Sequence, residues 1–434
     1  MKVLVAGFAV GVGVACVGGG VLAVQRGGSG GWLFFLGLWF LLGTAGAFLL
    51  RRLAFPRERR AGWPGFRRMG RFLGMFVVAL LLGEAIGYGA YAMLRGELLK
   101  TAWTLPADSV EPKAFWGTAD ALVRVRSDGV ASYGTRDGKP LWSRGLSVCR
   151  ASRNAGEGVG LVSFSSAGKA CDRLTALDLS TGQSLWTAKT GAAGRSFGWE
   201  TGSGIAVRPS RAGLKVFDLR TGAPRRAPRP PAKCVFNARS SVQADGGRLA
   251  ATAFCKNGST RLVMADPEGR TLWTAPLKTE RPTVLSAAPP VLRRERELLV
   301  FDPHDGTPTG TIPAPSPADA PILIGNGRIH VMDGKSTIRT HAPNGDLLWS
   351  ATVGSPLRGV HLADSTLYAV YDSGFSAPTT LTALDARSGA KTQEATVPYP
   401  AENSPALHTT PDRVLFLPRS QPDKSTPAVH AFIR

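Results

Sequence analysis

A chain of 434 residues suggests about three domains by length alone, unless it is built from a repeat. Hydrophobic residues make up 44%, enough for a core and for membrane segments, while 52 Gly and 31 Pro point to many turns. The net charge of +21 is unevenly placed: residues 1–100 hold 12 Lys/Arg against 3 Asp/Glu, and residues 101–434 hold 40 against 28. Most of the first excess lies in one short loop, so topology explains it and nucleic acid is not an expected partner.

In chain order, residues 3–24 form a stretch of 22 without a charge. As a helix this reaches about 33 Å, enough for a bilayer core of about 30 Å. Residues 32–50 are a second uncharged stretch, and residues 72–94 a third, broken only by Glu84. Between the second and third, residues 51–71 carry eight Arg and one Glu, the mark of a cytoplasmic loop. Residues 1–99 therefore read as a membrane domain of three transmembrane helices with a cytoplasmic N-terminus. Residues 100–434 then lie outside the cytoplasm. A cleaved signal peptide or a lipidated Cys16 is the alternative for the first span, and it would leave the other two in place. Glu84 lies within Gly83-x-x-x-Gly87, a small-residue packing motif, and reads as an intramembrane polar contact to a neighbouring helix.

Beyond residue 100 one phrase recurs. "LTALDLSTGQSLW" (174–186) reads as strand, tight turn, strand, and returns with drift as "ASYGTRDGKPLW", "LKVFDLRTG", "LVMADPEGRTLW", "LLVFDPHDG", "TIRTHAPNGDLLW" and "LTALDARSG". The turn glycines are Gly138, Gly182, Gly222, Gly269, Gly306, Gly345 and Gly389, spaced by 44, 40, 47, 37, 39 and 44. A period near 42 with strand–turn–strand content is that of a β-propeller blade. Asp178, Asp218, Asp302 and Asp385 stand four residues before their glycine, where a carboxylate accepts N–H bonds from the turn. Asp266 stands three before Gly269, so that turn is one residue shorter, and His341 takes the Asp position before Gly345. Trp142, Trp186, Trp273 and Trp349 each lie four residues after the glycine, a fixed point from which one blade can pack on the next.

Seven glycines mark seven turns, and the chain then ends on "DRVLFLP" and "AVHAFIR", two strands without a following turn. "KTAWTLP" (100–106) resembles the strand that follows a turn, with Trp103 in the repeated Trp place. Joining it to the last blade closes the circle and removes a bare edge. The fold class is thus all-β, an eight-bladed propeller preceded by the three-helix membrane region; seven blades are the alternative. Four cysteines lie beyond the membrane region. Cys149 is 11 residues after Gly138 and Cys234 is 12 after Gly222, so repeat equivalence selects the disulfides Cys149–Cys171 and Cys234–Cys255 from three connectivities. Zinc is the alternative use of the four, without any C-x-x-C pair to support it.

The repeated "ALD–TG–LW" phrase resembles the pyrroloquinoline-quinone (PQQ) repeat, and residues 100–434 are similar to the quinoprotein alcohol dehydrogenase-like propellers. The resemblance implies one of two kinds of relative: quinone-dependent dehydrogenases, or binding propellers without quinone such as outer-membrane assembly lipoproteins. The dehydrogenases carry adjacent cysteines against the quinone, and no two cysteines are adjacent here. The expectation is therefore a membrane-anchored, non-catalytic extracytoplasmic propeller that binds a protein, a wall polymer or a small ligand, as an accessory or sensor subunit of a membrane complex. No cofactor, metal or catalytic residue is expected. The net +12 of residues 101–434, densest in "APRRAPRPPAK" and "VLRRERE", favours acidic partners such as anionic wall polymers or lipid headgroups, and the partners expected are the membrane and a protein or an anionic cell-envelope polymer. A PQQ-dependent dehydrogenase is the alternative.

Overall fold

The computed structural model of the chain describes residues 97–433 apart from 108–109, 111, 166–170, 190–197, 278–281, 316–319, 334, 373–378, 398–405 and 418–426. The three apolar stretches, the Arg-rich loop and Glu84 lie outside the described residues. Among the described residues, no helix is long and apolar enough to cross a membrane.

The described strands form eight separate sheets. They follow one another along the chain as blade 1 (112–145), blade 2 (148–189), blade 3 (200–218), blade 4 (234–277), blade 5 (283–313), blade 6 (322–352), blade 7 (357–397) and blade 8 (406–433). Within each, successive strands pair antiparallel with their neighbours. The first strands of blades 1 and 2, 3 and 4, 4 and 5, 6 and 7, and 7 and 8 touch one another, which sets them around the axis.

The sequence pattern of each strand follows from its depth in the blade. Second strands such as Ala121–Arg126, Val159–Phe164 and Ile205–Ser210 are buried for five residues in a row. Both of their faces meet a neighbouring blade, so a continuous apolar run is required rather than alternation. Fourth strands such as Pro140–Gly145, Ser184–Lys189 and Leu347–Thr352 keep every second residue exposed, as expected at a rim. The apolar core is accordingly divided into clusters between blades, for example Trp116, Val123, Val125, Val162 and Leu177 between blades 1 and 2.

The ring closes through the start of the described chain. Thr101–Leu105 pairs antiparallel with Val429–Ile433 as the fourth strand of blade 8, with Thr101 opposite Phe432 and Leu105 opposite Val429. Just before it, Glu97–Leu98 pairs parallel with the outer strand of blade 7, and the Leu99 N–H donates to the Thr396 carbonyl (3.1 Å). The entering chain is thus fastened to two blades at once, and the outer edges of both are covered.

Blade 3 departs from the pattern. It has three strands, and the described segment 223–233 that follows its turn forms no fourth. Blade 4 departs in another way: its first strand is split into Cys234–Val235 and Val242–Asp245, both paired with Arg248–Cys255.

Candidate functional site

The repeat residues meet between blades. In five turns the glycine N–H donates to the carbonyl four residues back: Gly138 to Gly134, Gly182 to Asp178, Gly222 to Asp218, Gly306 to Asp302 and Gly389 to Asp385. Each of these glycines has a positive φ and lies under the indole of the preceding blade: Trp103, Trp142, Trp186, Trp273 and Trp349 respectively. Each indole Nε1–H donates to the carbonyl three residues before the glycine, at Thr135, Leu179, Leu219, Pro303 and Ala386, over 3.0, 3.0, 2.9, 3.0 and 3.2 Å.

The other two turns are tighter. The Gly269 N–H donates to Asp266 and the Gly345 N–H to Ala342, the carbonyl three residues back. That acceptor is the one a Trp uses elsewhere, and no indole covers these glycines: Gly269 lies against the Arg226 backbone and Gly345 against Gly310 and Thr311. The sixth turn differs from the sequence expectation here. Its hydrogen bonds put Ala342, not His341, in the place of Asp266. His341 instead donates from Nδ1 to the Gly345 carbonyl (3.0 Å).

The turn aspartates act on their own loops. Asp178 Oδ1 accepts from the N–H groups of Ser180 (2.9 Å) and Thr181 (3.1 Å), and Asp385 Oδ1 from Arg387 (3.0 Å) and Ser388 (2.7 Å). Asp218 accepts likewise from Arg220 and Thr221 and pairs with Arg225. Burial works upward on the Asp218 carboxyl, but the Thr221 and Arg225 bonds outweigh it and hold it at about 2. Asp302 takes one such bond, from His304 (2.7 Å), and Asp266 holds Arg270 instead. These groups are engaged in building hairpins.

A cavity of about 820 Å³ opens on the axial side of blades 7, 8, 1 and 2. Its walls are the first strands of those blades: Leu357–Ala363, Ala406–Thr410, Pro112–Gly117, and Val148–Ala151 with the residues that follow it. Its polar lining includes Lys113, Ser152, Arg153, Asn154, His361 and His408, and no carboxylate among the described residues. His361 and His408 lie edge to face, with ring centroids 6.4 Å apart. Burial, with His408 beside it, holds His361 at about 4, and burial also lowers His408. Both imidazoles are therefore neutral at pH 7. His408 donates from Nε2 to the Thr118 carbonyl (3.2 Å), which leaves Nδ1 as an acceptor. Its ring lies flat on Gly117, where an added Cβ would come within 2.1 Å of Cε1. Behind the wall, Glu200 is 7% exposed, with Oε1 3.8 Å from Arg153 Nε and no hydrogen bond to Oε2 among the described residues. Burial raises this carboxyl, against the opposing pull of Arg153.

Residues 257–414, running from blade 4 into blade 8, match a PQQ-repeat family model described as outer membrane protein assembly factor BamB. Over that stretch the β-propeller is similar to the PQQ-repeat proteins. No curated protein sequence matches it. Among solved structures, the computationally designed Ika8 protein is similar over 77% of this chain and 100% of its own, at 13% identity and a TM-score of 0.52, which shows a common fold. BamB from Moraxella catarrhalis aligns over 63% of this chain and 85% of its own (16% identity, TM-score 0.41). A europium-containing methanol dehydrogenase aligns over 77% and 93% (10% identity, TM-score 0.48).

Within the propeller both disulfides lie in single blades. Cys149–Cys171 ties the first strand of blade 2 to the loop before its third strand, and Cys234–Cys255 joins cross-strand neighbours in blade 4. The histidine pair escapes a sequence reading because 47 residues separate its members. One signal was present: each His stands seven residues before its cross-strand partner, His361 opposite Tyr368 and His408 opposite Leu415. The two are therefore equivalent positions in successive blades. Trp116, opposite Val123, holds the same place in blade 1. Among the described residues, no three His, Cys, Asp or Glu side chains come together as metal ligands.

Proposed function

We propose that this chain is a membrane-anchored, non-catalytic binding propeller held outside the cytoplasm. In this reading the axial cavity at blades 7, 8, 1 and 2 receives an anionic group of its partner. The observation that carries the reading is the cavity lining, which joins Lys113 and Arg153 to two neutral histidines without an acidic side chain among the described residues. A cationic wall in a concave, partly apolar site concentrates field on an anion and attracts it before contact. The neutral imidazoles add a directional acceptor and donor without the proton-transfer partner that acid–base chemistry needs. Glu200 Oε1 lies 3.8 Å from Arg153 Nε, and the Arg153 side chain stays largely exposed to an incoming anion.

The assembly-factor description of the matching family supports an accessory role beside a protein partner. The uncharged stretches at 3–24, 32–50 and 72–94 and the Arg-rich loop support the anchor and its orientation. A titration of the full-length protein in detergent micelles with short-chain polyphosphate tests the cavity. Binding is expected to weaken with salt, and to fall at least tenfold in Arg153→Ala and Lys113→Ala. Affinity that ignores both salt and these substitutions refutes the reading.

A further inference from the structure

We propose that blade 3 takes its fourth strand from a partner protein: an extended acidic segment adds to the free outer edge of the strand Gly213–Asp218. Among the described residues every other blade carries at least four strands, and blade 3 alone has three. The reason is in the sequence. The segment that follows its turn is "APRRAPRPPAK" (223–233), with prolines at 224, 228, 230 and 231. Proline has no N–H to give a ladder, so this segment cannot run on as a strand.

The pairing stops where that rule says it must. The Asp218 N–H donates to Ala223 and the Arg225 N–H to the Val216 carbonyl, so the even-numbered residues of this strand present their backbone outward. After Arg225 the segment leaves. Its Arg226 carbonyl lies on Gly269 of blade 4, and its Arg229 carbonyl accepts the Thr271 hydroxyl (3.2 Å). The next outward residue on the edge is Leu214. Neither its N–H and carbonyl nor the Val216 N–H has a hydrogen bond among the described residues. A row of unpaired donors and acceptors at a sheet edge is a template for another strand.

Charge selects the occupant. Residues 205–233 hold eight Lys/Arg and one Asp, and that Asp218 is already paired with Arg225. Lys215 on the edge strand, with Arg226 and Arg229 beside the gap, is exposed. These cations repel a second copy of the same edge and draw a strand whose outward residues are Glu or Asp. The site is on the rim, apart from the axial cavity, so the failure of either leaves the other standing.

The probe is a fluorescent eight-residue peptide of alternating Glu and Val/Thr, with a Lys-for-Glu peptide as its counterpart, titrated against the full-length protein in micelles. The acidic peptide is expected to bind and the basic one not, and binding is expected to slow amide exchange at residues 213–216. Leu214→Pro removes an outward N–H that no ladder bond uses, and is expected to weaken binding at least tenfold. Should that variant fold poorly, Lys215→Glu with Arg226→Glu serves instead, and is expected to transfer the preference to the basic peptide. Three results would overturn the proposal: no binding of the acidic peptide, equal binding of polyphosphate without protection at 213–216, or indifference to both sets of substitutions.

Discussion

Gly222→Ala and Trp186→Ala, singly and together, test whether the indole-on-glycine contact joins blades 2 and 3. At Gly222 φ is +69°, and an Ala there costs about 1 kcal/mol in backbone strain. Its Cβ would also come within 2.5 Å of Trp186 Cδ2, so the ring must move and its hydrogen bond to Leu219 lengthens or breaks. That adds about 1–3 kcal/mol, for a total of about 2–4 kcal/mol. Trp186→Ala leaves the Leu219 carbonyl without its donor and loses the cover of a half-buried ring, about 3–5 kcal/mol together. In the Trp186→Ala background the clash is gone, and Gly222→Ala should cost only the strain of about 1 kcal/mol. The double-mutant cycle should therefore show a coupling of about 1–3 kcal/mol. Urea denaturation followed by circular dichroism reads all four proteins. Gly269→Ala is the contrast: its Cβ would meet the Arg226 carbonyl oxygen at 2.1 Å, and no side-chain deletion relieves a backbone clash. Strict additivity of Gly222→Ala and Trp186→Ala would refute the contact as the link between the blades.

Each disulfide closes a loop of 22 or 21 residues, so replacing either pair by Ser should cost about 3 kcal/mol in the same denaturation series; an unchanged midpoint after both replacements would count against any stabilising role. Burial holds His330, His361 and His430 at about 4 from an ordinary 6.5, so between pH 6.5 and 4 the unfolded chain takes up protons that the folded one does not. Stability should be full above pH 6.5 and fall as pH drops to 4, by about 3 kcal/mol for the fully buried His330. His330→Asn should flatten that decline in melting curves taken from pH 7 to 4, and an identical pH profile would refute the assignment. Removing residues through 105 takes away the fourth strand of blade 8, and limited proteolysis should then cut first within 406–433; protection equal to that of the intact chain would mean the strand does not close the ring.

The architecture was readable because the repeat residues act locally. A glycine that must take positive φ, an aspartate bonding N–H groups two and three residues on, and an indole a fixed four residues past the glycine are set by short-range geometry, so they keep their spacing. The seam was readable for a related reason: Trp103 performs in blade 8 the task of the other four indoles, covering the next blade's turn glycine. The cavity was not readable. Its histidines come from first strands, and the loop between the second and third strands differs in length from blade to blade, from Asp372 to Thr379 in blade 7 and from Leu417 to Val429 in blade 8, so distance from the turn does not align them. His341 was misplaced because a turn shortened by one residue shifts what counts as four before glycine, and only the Ala342 hydrogen bond shows the shift.

Turn length and indole placement are one feature seen from two blades. A turn whose glycine bonds four residues back leaves the intervening carbonyl free, and the preceding blade supplies a Trp to it. A turn whose glycine bonds three residues back has used that carbonyl, and the preceding blade has none to supply: blade 3 has no fourth strand, and blade 5 puts Gly310 at the place. The loss of Trp along the repeat is thus compensated drift in pairs of neighbours, which keeps each interface satisfied. Blade 3 is the one place where compensation is incomplete. Its neighbour's tight turn is covered by the Arg226 backbone, yet the edge at Leu214 stays open. The two disulfides lie in blades 2 and 4, on either side of that blade, and brace the sheets that flank it. An edge left open between two braced neighbours is a rigid slot, and rigidity lowers the ordering cost that an incoming strand must overcome.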